Sequence, residues 1–253
     1  MQRALVRAIP ASFANALSAT PPASPIDVAL AREQHAAYRA ALEAMGVTVT
    51  MLDADERYPD CCFIEDTAVT GDGLALITRS GAPSRRGETE AVAAGLAPYL
   101  ELARMTGPAT LDGGDCMLLG STIYVGRSAR TNAAGIARLE EVFAPRGLRI
   151  VALDLPPDIL HLKCVCSLLN TDRILLARDT LPARAFPGAA IVWVPADETY
   201  AANAVALGTH VLCAAEYPRT REALEAAGFT THPVPTSEVH KADGSLTCQS
   251  ILF

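Results

Sequence analysis

FIEDTAVTGDGLALIT, residues 63–78, holds two short apolar runs separated by Gly71-Asp72-Gly73. Turn residues between β-prone flanks predict a tight antiparallel hairpin. A carboxylate-rich loop precedes it, and the helical stretch RRGETEAVAAGLAPYLELA, residues 85–103, follows. The same order recurs along the chain. LDGGD (111–115) leads into CMLL, turns at Gly120-Ser121, returns as TIYVG and is followed by the helical TNAAGIARLEEVFAPRG, with Thr131 or Asn132 as its cap. HLKCVCSLL (161–169) turns at Thr171-Asp172 into RILLA; NAVAL (203–207) turns at Gly208-Thr209 into HVLCAA and the helical TREALEAAG, stopped at Gly228.

A fifth unit assembles from the two ends: TCQSILF (247–253) pairs with ALVRAI (4–9), and the helix IDVALAREQHAAYRAALEAMG follows, ended by Gly46. Short strands such as VTVTML, RIVAL and IVWVP come after the helices, so each unit reads strand, strand, helix, strand (ββαβ). That order excludes a simple doubly wound parallel sheet. Five such units around an axis predict an α/β class fold, a five-fold pseudosymmetric α/β propeller closed like a barrel, spanning 1–253 as a single domain with helices outside. The stretch from Ser12 to Pro25 is expected to be a structureless loop of the size usual for a lid.

Of the 253 residues half are apolar, and the net charge is -7. A phosphate-tracking surface is excluded by that balance, so no nucleic acid partner is expected, and a small cationic molecule suits it better. MQRALVRAIPAS is too short and too charged for a secretory leader, and no run approaches the roughly 20 apolar residues of a membrane span. The seven cysteines are an odd number without a stapled-domain spacing. Reduced thiols and a cytoplasmic location are expected. Most lie in apolar runs and read as small core hydrophobes.

In every repeat the chemically active residues fall just before or at the start of the first hairpin strand. Those positions hold Asp60, Glu65 and Asp66, then Asp112, His161, Asn203 and Cys248. Pseudosymmetry brings them to one axis as a nucleophile, a proton carrier and a cation-binding cage. His161, Cys164 and Cys166 lack the paired CxxC element of a zinc site, so no metal is expected. Asp115, beside its glycine pair, reads as an ordinary turn former, and Arg86 as a solvated helix start.

PDCCFIEDTA, ITRSGAPSRRGETE, LDGGD, VGRSARTNAAG, LHLK, YAAN, YPRTRE and DGSLTCQSILF occur in this order along essentially the whole chain. Together they resemble the dimethylarginine dimethylaminohydrolases of the guanidino-group-modifying (pentein) superfamily, whose fold is the five-unit propeller. The resemblance implies hydrolysis of N-omega-methylated arginine to citrulline and an amine, with no cofactor. It assigns Cys248 as nucleophile, His161 as general acid and base, and Asp112 as the acid paired with that histidine. Asp60, Glu65 and Asp66 match positions around the guanidinium, and Arg85 and Arg130 those that hold the substrate carboxylate. Leu17 falls in the lid, and Ala242 offers a backbone carbonyl. Where some of the superfamily carries Glu, Asp112 is one methylene shorter. An arginine deiminase-like hydrolase and a non-catalytic binder of arginine derivatives are the competing readings; the expected partner is a small-molecule substrate, with a possible homodimer.

Overall fold

The computed structural model describes residues 2–253. In chain order β1 (Arg3–Arg7) runs through α1 (Val28–Ala44) to β2 (Thr48–Leu52), and β3 (Ala68–Gly71), β4 (Leu74–Ile77), α2 (Thr89–Leu96) and β5 (Glu101–Arg104) follow. Next come β6 (Cys116–Leu119), β7 (Thr122–Arg127), α3 (Ala133–Phe143) and β8 (Arg149–Asp154), then β9 (Cys166–Asn170), β10 (Arg173–Ala177) and β11 (Ala190–Val194). The chain ends with β12 (Val205–Leu207), β13 (His210–Ala214), α4 (Pro218–Ala226), β14 (Thr230–Val234), the short α5 (Ser237–His240) and β15 (Ser250–Leu252).

These strands make five sheets of three, including β15-β1-β2 built from both ends of the chain. In each sheet the middle strand pairs antiparallel with the first strand of its unit and parallel with the strand that follows the connection. The first strands face the axis: β9 packs beside both β6 and β12, and β15 beside β3. Outer strands such as β2 and β5 are partly exposed. The sheets remain separate, so closure comes from packing rather than from one continuous barrel of strand pairing.

Local chemistry accounts for the element ends. Asp72 and Gly73 both take positive φ in the first hairpin turn, the conformation its strand twist requires. Asn132 caps α3 by accepting from the Gly135 N–H at 2.8 Å, and Asp27 caps α1 through the Leu30 N–H. The four longer helices, α1 to α4, then pack against the sheet of the preceding unit. Val92, Ala93 and Leu96 of α2 bury against Leu5 and Ile251, and Tyr38 and Leu42 of α1 against Leu212 and Val234. Every fully buried large apolar side chain in these seams contributes about 1.5–3 kcal/mol, so the helices fasten one unit to the next.

Three expectations need correction. The helix after β4 stops at Leu96, because Pro98 cannot continue it, and Glu101–Arg104 becomes β5 rather than a last helical turn. Between β10 and β11 the helix is replaced by one 3₁₀ turn, Ala183–Ala185, since Pro182, Pro187 and Gly188 leave no run long enough to wind. The Ser12–Pro25 stretch is not structureless throughout: Ala11–Asn15 forms a 3₁₀ turn that drives Phe13 into the interior, edge-on to Phe63 at 5.7 Å. No helix among the described residues is long and apolar enough to cross a membrane.

Candidate active site

Each first strand is preceded by, or begins directly after, a 3₁₀ turn: Ile64–Thr67, Gly113–Asp115, Leu162–Cys164, Ala196–Ala202 and Thr247–Gln249. Successive turns touch around the axis. Asn203 joins the last two, its Oδ1 accepting from the Thr247 N–H at 2.9 Å and its Nδ2 donating to Thr247 Oγ1 at 3.0 Å. Only glycine allows such close approach at position 113, where a Cβ would lie 2.1 Å from the Glu65 carbonyl oxygen. The repeat thus becomes a ring of turns.

On one side of the ring lies a cavity of about 170 Å³ lined by Leu17, Asp60, Asp66, Arg85, Arg130, His161, Ala242 and Cys248, among others. On the other, the inner strands line a larger channel of about 460 Å³. The reactive groups gather in the smaller space.

His161 Nε2 donates to Asp112 Oδ2 at 3.2 Å, and its Nδ1 has no protein partner among the described residues. Asp112 is fully buried; its Oδ1 accepts from the Gly81 N–H at 3.0 Å, which fixes the carboxylate plane. Burial opposes a charged imidazole here, but Asp66, the bond to Asp112 and Asp115 outweigh it and raise the His161 pKa to about 9. Cys248 behaves oppositely. Burial first, then Glu65 and Asp66, push its thiol well above the ordinary range. The resting pair is therefore thiol and imidazolium at neutral pH.

Asp66 accepts from Arg85 Nη1 at 2.6 Å and from the Gly114 N–H at 3.0 Å. Burial would raise its pKa, yet the charges of His161 and Arg85 hold it at about 2. Asp60 accepts from the Leu17 N–H at 3.0 Å, and burial raises its pKa in spite of Arg85. The same segment is also held by the Ala19 N–H donating to Asp243 Oδ2 at 2.5 Å. Asp66, Asp112 and His161 offer ligand atoms within 4.8 Å of one another, but each is already committed to hydrogen bonds within the cluster or to Arg85.

The two arginines differ. Arg85 is buried, with Nε and Nη2 on Glu88, Nη1 on Asp66 and Nη2 also on the Phe63 carbonyl. Arg130 is half-buried at the cavity rim, and its guanidinium makes no hydrogen bond or ion pair among the described residues. Two of the site residues assigned by the resemblance do not line this cavity: Asp112, which reaches it through its bond to His161, and Glu65. Glu65 borders the channel instead, accepting from Lys163 Nζ and Thr247 Oγ1, both at 2.6 Å.

Sequence reasoning missed Asp115 and Lys163. Asp115 is fully buried, and its carboxylate accepts from the hydroxyls of Ser128 and Thr131 and from the Leu162 N–H. An acid that close to a glycine pair looks like a turn former, and only its distance from water reveals otherwise.

The sequence matches the family model for N,N-dimethylarginine dimethylhydrolase (eukaryotic) over residues 16–192. The N(G),N(G)-dimethylarginine dimethylaminohydrolase of Pseudomonas aeruginosa is 38% identical over 231 residues, 90% of each chain, and that of Streptomyces coelicolor 37% identical over 252 residues, 99% of this chain and 96% of that one. A solved structure of the Pseudomonas aeruginosa enzyme, a cysteine-to-serine mutant complexed with citrulline, superposes with a TM-score of 0.95 at 36% identity, covering 99% of this chain and 98% of that one. The N-terminal domain of a cyanobacterial arginine dihydrolase shares the fold at 16% identity and a TM-score of 0.88, over 100% of this chain and 98% of that one. With the ring of turns, the imidazole–carboxylate pair and the full-length likeness together, the chain belongs to the dimethylarginine dimethylaminohydrolase family.

Proposed function

We propose that this protein hydrolyses N-omega-methylated arginine to citrulline and dimethylamine or methylamine. The observation that carries the reading is one cavity shared by the Cys248 thiol, the Asp112-paired His161 and the carboxylates of Asp60 and Asp66. A guanidinium carbon is a poor electrophile, and its planar fork of donors favours carboxylates that fix it for attack. Asp66 and Asp60 serve that end of the substrate. Arg130, with its unpaired guanidinium, takes the α-carboxylate, joined by Arg85 at the cavity wall. The Leu17 lid and the Ala242 carbonyl close over the amino-acid end. Glu65 acts on the substrate's side only indirectly, by holding Thr247 beside the nucleophile.

Bound cation brings positive charge beside the sulfur and lowers its pKa, so the thiol releases its proton to solvent and thiolate forms when there is something to attack. Sulfur then adds to the guanidinium carbon. Nδ1 of His161 gives its proton to the departing amine as the C–N bond breaks, leaving a thiouronium on Cys248. Water adds to that carbon and passes a proton to His161; collapse of the second adduct breaks the C–S bond and frees citrulline. The test is citrulline release from asymmetric dimethylarginine, monomethylarginine and arginine by the native protein and by Cys248→Ser. Turnover of the methylated substrates alone, abolished in the variant, is expected; preference for arginine, or binding without citrulline, overturns the reading.

A further inference from the structure

We propose that Asp115 is a positioning residue that sets His161, Asp112 and the Arg130 loop in one arrangement from a single buried carboxylate. Its Oδ1 accepts from the N–H of Leu162, the residue after His161, at 3.0 Å. Its Oδ2 accepts from Thr131 Oγ1 and from Ser128 Oγ, each at 2.6 Å. Both hydroxyls carry the constraint onward. Thr131 Oγ1 accepts from the Asp112 N–H at 3.3 Å, and Ser128 Oγ from the Arg130 N–H at 3.0 Å. The Asp115 N–H also donates to the Asp112 carbonyl at 3.0 Å.

Three segments of the site therefore meet on one group that touches no substrate. A carboxylate with no exposure is costly to keep unless its acceptors are filled, and here both oxygens are. The space is cut to fit: a Cβ on Gly126 would come within 2.8 Å of Asp115 Oδ1, so glycine there makes room for the acid. The charge has a second effect. Groups facing His161 are Asp66 from the first ring turn, Asp112 and Asp115 around the second, and Cys248 from the last, with Arg85 behind Asp66. Asp115 adds to the field that keeps His161 protonated without accepting a hydrogen bond from its ring.

The role assigned to Asp115 rests on the hydrolytic reading of the site, but its central test does not require substrate. In Asp115→Asn the His161 imidazole, followed by NMR, is expected to titrate about one pH unit lower than in the native protein. Where the proposed activity holds, kcat falls about tenfold or more. A His161 midpoint within 0.2 unit of native overturns the proposal, whatever happens to thermal stability. Should Asp115→Asn fail to fold, Thr131→Val and Thr131→Ser decide. The valine variant cuts the hydroxyl link to Asp112, and several-fold loss of kcat at unchanged KM is expected; serine restores it. Native kcat in Thr131→Val overturns the link. Absence of citrulline from the native protein would remove the activity reading while leaving the titration result standing.

Discussion

A single methyl group at Gly114 should separate catalysis from folding. A Cβ built there lies 2.8 Å from Asp66 Oδ1, 3.0 Å from His161 Nδ1 and 3.1 Å from His161 Cγ, short of ordinary contact by about half an ångström. Asp66 cannot retreat easily, because Arg85 holds its other oxygen at 2.6 Å. The imidazole must therefore take most of the displacement, bending or lengthening its 3.2 Å bond to Asp112 and carrying Nδ1 off its line to the leaving nitrogen. Overpacking of this kind costs about 1–3 kcal/mol, a fall of about 2–12 °C in Tm for a chain of this size. Misplacement of a proton donor by a fraction of an ångström to one ångström costs on the order of 10²-fold in rate. We expect Gly114→Ala to fold, to lose about 10²-fold in kcat for asymmetric dimethylarginine, and to change KM little. Steady-state citrulline formation and thermal unfolding measure both. Native kcat in a folded Gly114→Ala protein would refute the placement of His161 as the proton donor.

Other outcomes follow from the charges. The folded pKa of His161, about 9, stands above its ordinary 6.5. Its cation thus stabilises the fold fully below about pH 6.5, and that contribution is lost as pH rises through about 9. The difference in Tm between native protein and His161→Gln should therefore shrink across that window; a difference constant from pH 6 to 10 would contradict it. Replacing Arg130 by methionine keeps the apolar stem and removes the unpaired fork, so KM should rise about tenfold or more with kcat within a few-fold, by initial-rate kinetics. Because burial and two carboxylates raise the Cys248 thiol, alkylation by iodoacetamide at pH 7 should be slow in the free protein and rise steeply above pH 9.

The five-unit fold was legible because hairpin turns are local chemistry. Gly71-Asp72-Gly73, Gly120-Ser121 and Gly208-Thr209 each announce a reversal, and the apolar runs beside them have strand length. Connections were less legible. Only the count of prolines between residues 182 and 188 distinguishes the 3₁₀ turn there from the helices elsewhere, and the Ala11–Asn15 turn owes its form to Phe13 finding Phe63. At the site, position along the repeat identified which residues reach the ring, but not which way they point. Glu65 and Asp66 are neighbours in one 3₁₀ turn, yet one faces the channel with Lys163 and the other faces His161. Side-chain direction in so tight a turn depends on the adjoining units, which no local pattern records.

Mass spectrometry of the native protein quenched during turnover of a methylated arginine tests the account most directly. A covalent adduct with the mass of a thiouronium, mapped by peptide fragmentation to Cys248 and lost in Cys248→Ser, is expected. Turnover without any adduct on that sulfur, or an adduct carried by another of the seven cysteines, would contradict it.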